Sequence, residues 1–257
     1  MIDLHCHILP GVDDGARSLD EAVAMCRMAA ADGCEAMIAT PHQRRSEWWN
    51  DDREMLQRLA CDLQAAVGLA PEARETAFRV ALGGEIHVGP GLLDEIGRLS
   101  SGAGGGLLPL AGSRDLLIEF DPLDTPVQAA ELVHELTVSG WRPVIAHPEL
   151  IPWLAKGTAL LDHLVSLGAT AQVTAMSLTG DFGRRPQSDA LAFLDAGLVH
   201  FVASDSHSPR RRPPGLSRAC QVIAARRGEA VARRLTTDNP RAVLENRPLP
   251  SIVEGEA

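Results

Sequence analysis

Short runs of aliphatic and β-branched residues alternate along this chain with amphipathic stretches of helical length, from Ile2 to Leu244. Such alternation marks βα units that build a parallel sheet or barrel. Strands are predicted at residues 2–7, 35–40, 78–86, 114–120, 143–147, 169–175 and 199–204. Between the first two, Ser18-Leu19-Asp20-Glu21 is a capping box, which opens a helix that runs to Gly33. Thr125-Pro126-Val127-Gln128 combines an N-cap, a proline at the first helical position and a glutamine able to close the box, and its helix stops at Gly140. Further helices are predicted near 50–68, 151–167, 187–196, 215–228 and 229–246. Seven strands, each followed by helix or loop, point to one α/β domain folded as a βα barrel. An open dinucleotide-binding sheet fits less well, since no glycine fingerprint follows the first strand. Ser100–Gly106 reads as a flexible loop that lacks the Gly-Lys-Ser/Thr ending of a P-loop, and residues 248–257 read as a short disordered tail.

The polar positions carry the chemistry. In a βα barrel the reactive groups come from the C-terminal ends of the strands. His5 and His7 are one residue apart on the first strand, hence on one face, where they can grip one ion. A glycine-containing loop then delivers Asp13 and Asp14. Strand two ends in Thr40-Pro41-His42, strand three carries Gly83-Gly84-Glu85 and strand four ends in Glu119-Phe120. Strand five gives Ala146-His147-Pro148 and strand seven Asp205-Ser206-His207. Each has an ordinary structural reading taken alone: Glu119 paired with an arginine, His147 capping a loop. Together they do not, because so many ionisable groups at the ends of apolar strands are costly to bury without a compensating cation. His134 and His163 fall within predicted helices and His200 lies early in a strand, so these read as structural. His87 shares the face of Glu85 if that strand continues and is a candidate for lining the pocket.

Composition narrows the picture. The chain has 257 residues, 45% of them hydrophobic, and no long uncharged apolar run, so it can bury one large core and shows no membrane-spanning segment. Met1-Ile2-Asp3 runs straight into the strand that carries His5 and His7 without the regions of a cleavable signal, which favours the cytoplasm. A net charge of −10 argues against a nucleic-acid surface, though not against a phosphorylated substrate. Five cysteines, an odd number without CxxC spacing, read as free thiols, and Cys6 alternates away from its two flanking histidines. With no tyrosine, the chain cannot be its own phosphotyrosine substrate.

The ordered set DLHCHILPGVDDGA, ATPH, GGEIH, LIEF, VIAHPE and ASDSH resembles the polymerase and histidinol phosphatase (PHP) superfamily. More narrowly, HCHILPGVDDGA, QVTAMSLTGDFGRR (172–185) and FVASDSHSPRRRPPGL (201–216) are similar to the bacterial manganese-dependent tyrosine-protein phosphatases of capsular and exopolysaccharide clusters. The resemblance implies a distorted (βα)7 TIM-like barrel, the PHP fold, over residues 1–247, with three divalent metal ions at its mouth. It implies one ion on His5, His7, a bridging Glu85 and Asp205, and a second on Glu85, Glu119 and His147. The third would take Asp14, His42 and His207. Manganese is the expected metal, while iron and zinc suit the same mixed ligands. The family often follows His-Pro-Glu with a phosphate-holding arginine, and here Leu150 stands there; Arg212 matches the second such arginine. Arg184, Arg185, Arg210 and Arg211 are candidates to supply the lost charge, with Arg184 and Arg185 as expected substrate contacts alongside Arg212.

The implied ligand carboxylates (Asp14, Glu85, Glu119, Asp205) would repel a phosphate monoester until divalent ions reverse the sign of the pocket. Arg212 would neutralise charge developing on phosphate oxygens, and metal-bound water or His42 would donate a proton to the leaving group if one is needed. The implied substrate is a phosphotyrosine protein, by resemblance a bacterial tyrosine autokinase, in capsule or exopolysaccharide regulation. A small-molecule phosphatase of the histidinol-phosphate type, a nuclease and a non-catalytic PHP binding module are the alternatives. The acidic charge counts against the nuclease and the complete ligand set against the binding module. Homo-oligomerisation and the physiological substrate are left open by the sequence.

Overall fold

The computed structural model describes residues 1–68, 78–102, 105–121 and 129–250. The predicted helix start at Thr125-Pro126-Val127-Gln128, residues 103 and 104 of the predicted loop and residues 251–257 of the predicted tail lie outside the described residues. Nine strands are found within them: β1 (Ile2–Cys6), β2 (Ala36–Ala39), β3 (His42–Gln43), β4 (Arg79–Leu82), β5 (Glu85–His87), β6 (Asp115–Glu119), β7 (Arg142–Ala146), β8 (Thr170–Thr174) and β9 (Phe201–Ala203). Every pairing is parallel.

Nine strands replace the seven predicted because the third of those predicted is divided in two and a short strand, β3, follows the second beyond its predicted range of 35–40. The second stops at Ala39 because Pro41 has no N–H to continue the ladder, and pairing resumes as β3 at His42. The third divides at Gly83-Gly84. A Cβ at Gly84 would stand 2.2 Å from the Gln43 amide oxygen, so only glycine fits. That amide is fixed in place, donating to Asn50 O and Gly106 O and accepting from Leu108 N. The break leaves His42 and Glu85 as register partners on adjacent short strands.

The strands form two sheets, β1-β2-β4 and β3-β5-β6-β7-β8-β9, and no single closed sheet is found among the described residues. The sheets nonetheless abut. His7 N and Asp205 N donate to Ser206 O (2.8 Å) and His5 O (2.9 Å), tying β1 to the segment after β9. Gly83 N and Glu85 N donate to Ala39 O (2.8 Å) and Pro41 O (3.1 Å) at the other junction.

Helices pack on the outer faces through their apolar stripes, as Leu56, Ala60, Leu63 and Val67 do in Arg53–Gly68. The helix Leu19–Ala31 begins where predicted: Ser18 Oγ accepts from Glu21 N (3.2 Å). Glu21 reaches back one residue further than a standard box and accepts from Arg17 N (3.0 Å). The helices Leu92–Ser100 and Ala175–Thr179 were not predicted. The helix expected over 229–246 is broken into Glu229–Arg233, a π segment at Arg234–Asp238 and Asn239–Leu244. Pro240 cannot donate to the preceding turn, which accounts for the widening there.

A smaller apolar cluster lies between the strands and includes Leu4, Ile38, Leu117, Val144, Phe201 and Ala203, all fully buried. Leu117 precedes Glu119 by two residues on the same face of β6, and Ala203 ends β9 two residues before Asp205. They thus give the polar residues above them a dry floor, each large side chain contributing about 1.5–3 kcal/mol by burial. All five cysteines are free.

Candidate metal centre

The strand ends bring their polar side chains to one place. His5, on β1, donates from Nδ1 to Gln172 Oε1 of β8 (2.8 Å). His7 donates from Nδ1 to Asp13 Oδ2 (2.8 Å). Asp13 stands there because the loop after β1 folds back on itself: Ala16 N donates to His7 O, and a Cβ at Gly15 would lie 2.1 Å from that same oxygen. With both Nδ1 atoms donating, both Nε2 atoms present lone pairs, and these face each other at 3.2 Å. Such a pair repels unless a cation or proton lies beside it. Burial alone would lower the His7 pKa, but Asp13 and Glu85 outweigh it and raise the value well above the ordinary one.

Glu85 is the hub. Its carboxylate is buried and lies 2.8 Å from His147 Nε2, 2.8 Å from His42 Nδ1, 3.3 Å from His7 Nε2 and 3.5 Å from His5 Nε2. Against the cost of burial, the charges of His5 and His42 hold Glu85 well below the usual carboxylate range. Its hold is reciprocal: despite burial, His42 rises to about 9, with Asp14 also helping, and His147 to about 10. Yet His42 Nδ1 and Glu85 Oε2, though close, are not aligned for a hydrogen bond, and both are buried without a hydrogen-bond partner. Converging lone pairs and unsatisfied buried oxygens and nitrogens are what a divalent ion would satisfy, so this donor set fits a metal.

Three groups have donor atoms close enough to share an ion: His5 with His7 and Asp205; His42 with Glu85 and Glu119; and His7 with Asp14, His42 and His207. Eight of the nine residues expected as ligands fall in these groups; the ninth, His147, is in none of them but adjoins them through Glu85, and the grouping differs in detail. His7 also reaches the Asp14 group, and His42 also reaches Glu85 and Glu119. Asp14, with its side chain 46% exposed, is the outermost; its Oδ1 lies 3.4 Å from both His42 Nε2 and His207 Nε2. These imidazoles hold its carboxyl below the usual range despite partial burial. Asp205 is likewise lowered, burial being outweighed by His5 and Arg212. His207 is lowered by burial and by the charge of His7.

Two of these residues sit in strained backbone. His147 (φ 32°), directly after β7, and Asp205 (φ 51°), two residues after β9, adopt the left-handed region at a cost of about 1–3 kcal/mol each. Glu149 holds the turn after His147: it is buried and accepts from Thr174 N (2.9 Å) and Ser177 Oγ (2.7 Å). Cys6 points to the opposite face of β1, where its thiol donates to Ile38 O (3.1 Å).

A cavity of about 250 Å³ opens above the cluster. Arg212 lines it, pairing with Asp205, donating to His207 Nε2 (3.3 Å) and lying 5.6 Å from the centre of the Phe182 ring. Leu150 lines it as well. Arg184 and Arg185 do not: they open the helix Arg184–Asp195, exposed, with Arg185 Nε 3.8 Å from Asp189. Arg210 and Arg211 line a different cavity beside Asp181. His87 approaches the centre, its Nδ1 3.6 Å from Glu119.

Three contributors were not predicted. Gln172 orients His5 from mid-strand, Trp48 stacks on His42 (5.4 Å between ring centres, 14° between planes), and Arg45 grips both oxygens of Glu119. The alternation of β8, which puts Gln172 inward among apolar neighbours, was the available signal for the first. Arg45 and Trp48 lie in a loop, where periodicity says nothing about direction.

Comparison with known proteins decides the relationship. The family model for capsular polysaccharide synthesis, CpsB/CapC, matches residues 1–245. The chain belongs to the CpsB/CapC family. Among its CpsB/CapC relatives is tyrosine-protein phosphatase YwqE of Bacillus subtilis (strain 168), 35% identical over 246 residues, 96% of this chain and 92% of that protein. Tyrosine-protein phosphatase CpsB of Streptococcus pneumoniae is 28% identical over 249 residues, 95% of this chain and 98% of that one. A crystal structure from work on these two proteins, described as unique metal-dependent tyrosine phosphatases, matches with a TM-score of 0.88 at 32% identity. It covers 97% of this chain and 96% of the other. Among the described residues, no helix is long and apolar enough to cross a membrane.

Proposed function

We propose that this CpsB/CapC chain is a metal-dependent phosphatase that removes phosphate from tyrosine residues of proteins, by resemblance a bacterial tyrosine autokinase, in the cytoplasm. The observation that carries the reading is the pair of His5 and His7 Nε2 lone pairs converging beside Glu85 and Asp205, an arrangement that a cation completes. The relatives' description as metal-dependent tyrosine phosphatases supports it.

The proposed ligands are His5, His7, Glu85 and Asp205 for one manganese ion, Glu85, Glu119 and His147 for a second, and Asp14, His42 and His207 for a third. The abutting sheets support reading the fold as a distorted (βα)7 barrel of the PHP type. Bound divalent ions would supply positive charge and lower the pKa of water enough for it to attack phosphorus near neutral pH. The chain's own residues do the rest. Gln172 and Asp13 fix the imidazole tautomers of His5 and His7, and Arg212 meets the phosphoryl oxygens as charge builds on them. Phe120, Leu150 and Ile151 give the cavity an apolar wall that limits access of water.

The test is phosphate release from a phosphotyrosyl peptide and from histidinol phosphate, with manganese and after chelation. Metal-dependent release from the peptide is expected. Release from the small ester alone would overturn the protein-phosphatase reading in favour of a metabolic one.

A further inference from the structure

Among the described residues, two arginines line the cavity above the centre, Arg45 and Arg212, and no lysine does. They reach it from different walls. Arg212 is anchored on Asp205 beyond β9, and Arg45, from the loop after β3, is anchored on Glu119 at the end of β6. The neighbouring Arg44 is spent elsewhere: it is buried, donates to Pro90 O (2.7 Å) and His87 O (3.3 Å), and pairs with Glu95.

We infer that Arg45 is a second phosphate-binding residue of this site, which together with Arg212 holds the substrate's phosphoryl oxygens. The inference rests on the phosphatase reading above. Arg45 Nε donates to Glu119 Oε2 (2.9 Å) and Nη2 to Oε1, so its planar fork already displays the bidentate geometry that two phosphoryl oxygens would accept. Its side chain is 30% exposed, open to the cavity side yet held in place. Nη1 makes no hydrogen bond to any described residue and keeps its donors for an oxygen. A cation drawing on Glu119 would weaken that carboxylate's hold on Arg45 just when substrate is to be bound. Apart from the carboxylates and imidazoles of the centre and the two arginines, the lining is Phe120, Leu150 and Ile151, whose side chains offer phosphate no donor.

The test uses the full chain loaded with manganese. Peptide kinetics, calorimetric binding of inorganic phosphate and bound manganese are compared in the wild type, Arg45→Ala, Arg45→Gln and Arg45→Lys. The neutral variants should weaken phosphate binding and raise KM by about 10- to 100-fold, with kcat less affected and manganese content kept. Lysine should recover part of the loss, since it restores charge but not the fork. Unchanged phosphate affinity and KM in the neutral variants would overturn the inference. So would loss of manganese in step with loss of affinity, which would make Arg45 a support for Glu119. A wild type inactive on the peptide that still binds phosphate through Arg45 would sink the phosphatase reading and leave this inference standing.

Discussion

Strand β6 carries a buried carboxylate at each end, and the two are neutralised in different ways. At its start, Asp115 accepts from Arg142 Nε (3.0 Å) and Nη2 (2.6 Å) and from Ser113 Oγ (2.8 Å), while its own N–H donates to that hydroxyl (2.9 Å). Donors and acceptors match there, and the cluster is finished without help from outside. At its end, Glu119 joins Glu85, Asp205 and Asp14 among five imidazoles, with lone pairs facing one another and buried atoms unsatisfied. Strand β1 repeats the contrast: Asp3 is satisfied by Ser204 at its start, whereas His5 and His7 converge at its end. A polar cluster with matched partners is structural. One whose donors and acceptors do not match is waiting for an ion or a proton.

The largest effect should follow loss of one member of the unmatched cluster. His5→Ala or Asp205→Ala should reduce phosphotyrosyl-peptide hydrolysis to background and deplete bound manganese, read by atomic spectrometry. Turnover that survives either change would mean that the cluster is not the catalytic centre. Next in size, Gln172→Ala and Asp13→Ala leave all proposed ligands in place and free the outward Nδ1 of His5 or His7, with Asp13→Ala also releasing Gly15 N and His42 N. Manganese affinity should fall about 10- to 100-fold in each, measured by competition with a chelating dye.

Acidity provides a third handle, and its sign follows from the raised imidazoles. Without metal, His42 and His147 are held at about 9 and about 10, above an unfolded value of about 6.5. Their stabilisation of the metal-free fold is therefore complete below about pH 6.5 and is lost as pH rises through 9 to 10. Metal needs the neutral rings, so manganese displaces these protons and binds more tightly with rising pH over the same window, by up to about tenfold per unit per proton displaced. Manganese affinity that stays flat between pH 6.5 and 9 would show that these rings do not ligate. The smallest effect belongs to the matched cluster. Asp115→Ala should cost about 2–3 kcal/mol, a fall in Tm of about 5–10 °C, with kcat and manganese content of the folded protein unchanged.

The strand-end residues were legible because position and chemistry coincide: His5, His7, Glu85, Glu119, His147 and Asp205 each interrupt an apolar run where it ends, and a parallel βα pattern sends all such ends to one side. Strand boundaries were less legible. The predicted strand 78–86 runs through Gly83-Gly84, and only the position of Gln43, set by contacts to Asn50, Gly106 and Leu108, shows why the chain steps there. The helix Leu92–Ser100 had a visible apolar stripe in Leu92, Leu93, Ile96 and Leu99 that went unread. Arg45 had no such signal. Its role depends on where a loop turns relative to β6, a strand 70 residues later in the chain, and one-dimensional pattern carries no such distance. The same limit explains why Arg184 and Arg185, near the site in sequence pattern, point elsewhere in space.

Cys6 lies between the two histidines yet is turned into the core, its thiol donating to Ile38 O and pushed well above its ordinary range by burial and by the nearby charge of Asp3. The exposed cysteine, Cys61, lies on the helix Arg53–Gly68, away from the cavity. A phosphatase built this way has no thiolate at its centre for peroxide or alkylating agents to reach. Its dephosphorylating activity should persist through oxidative stress that silences enzymes with a cysteine nucleophile, so that a cell under oxidant attack would keep this reset while losing others.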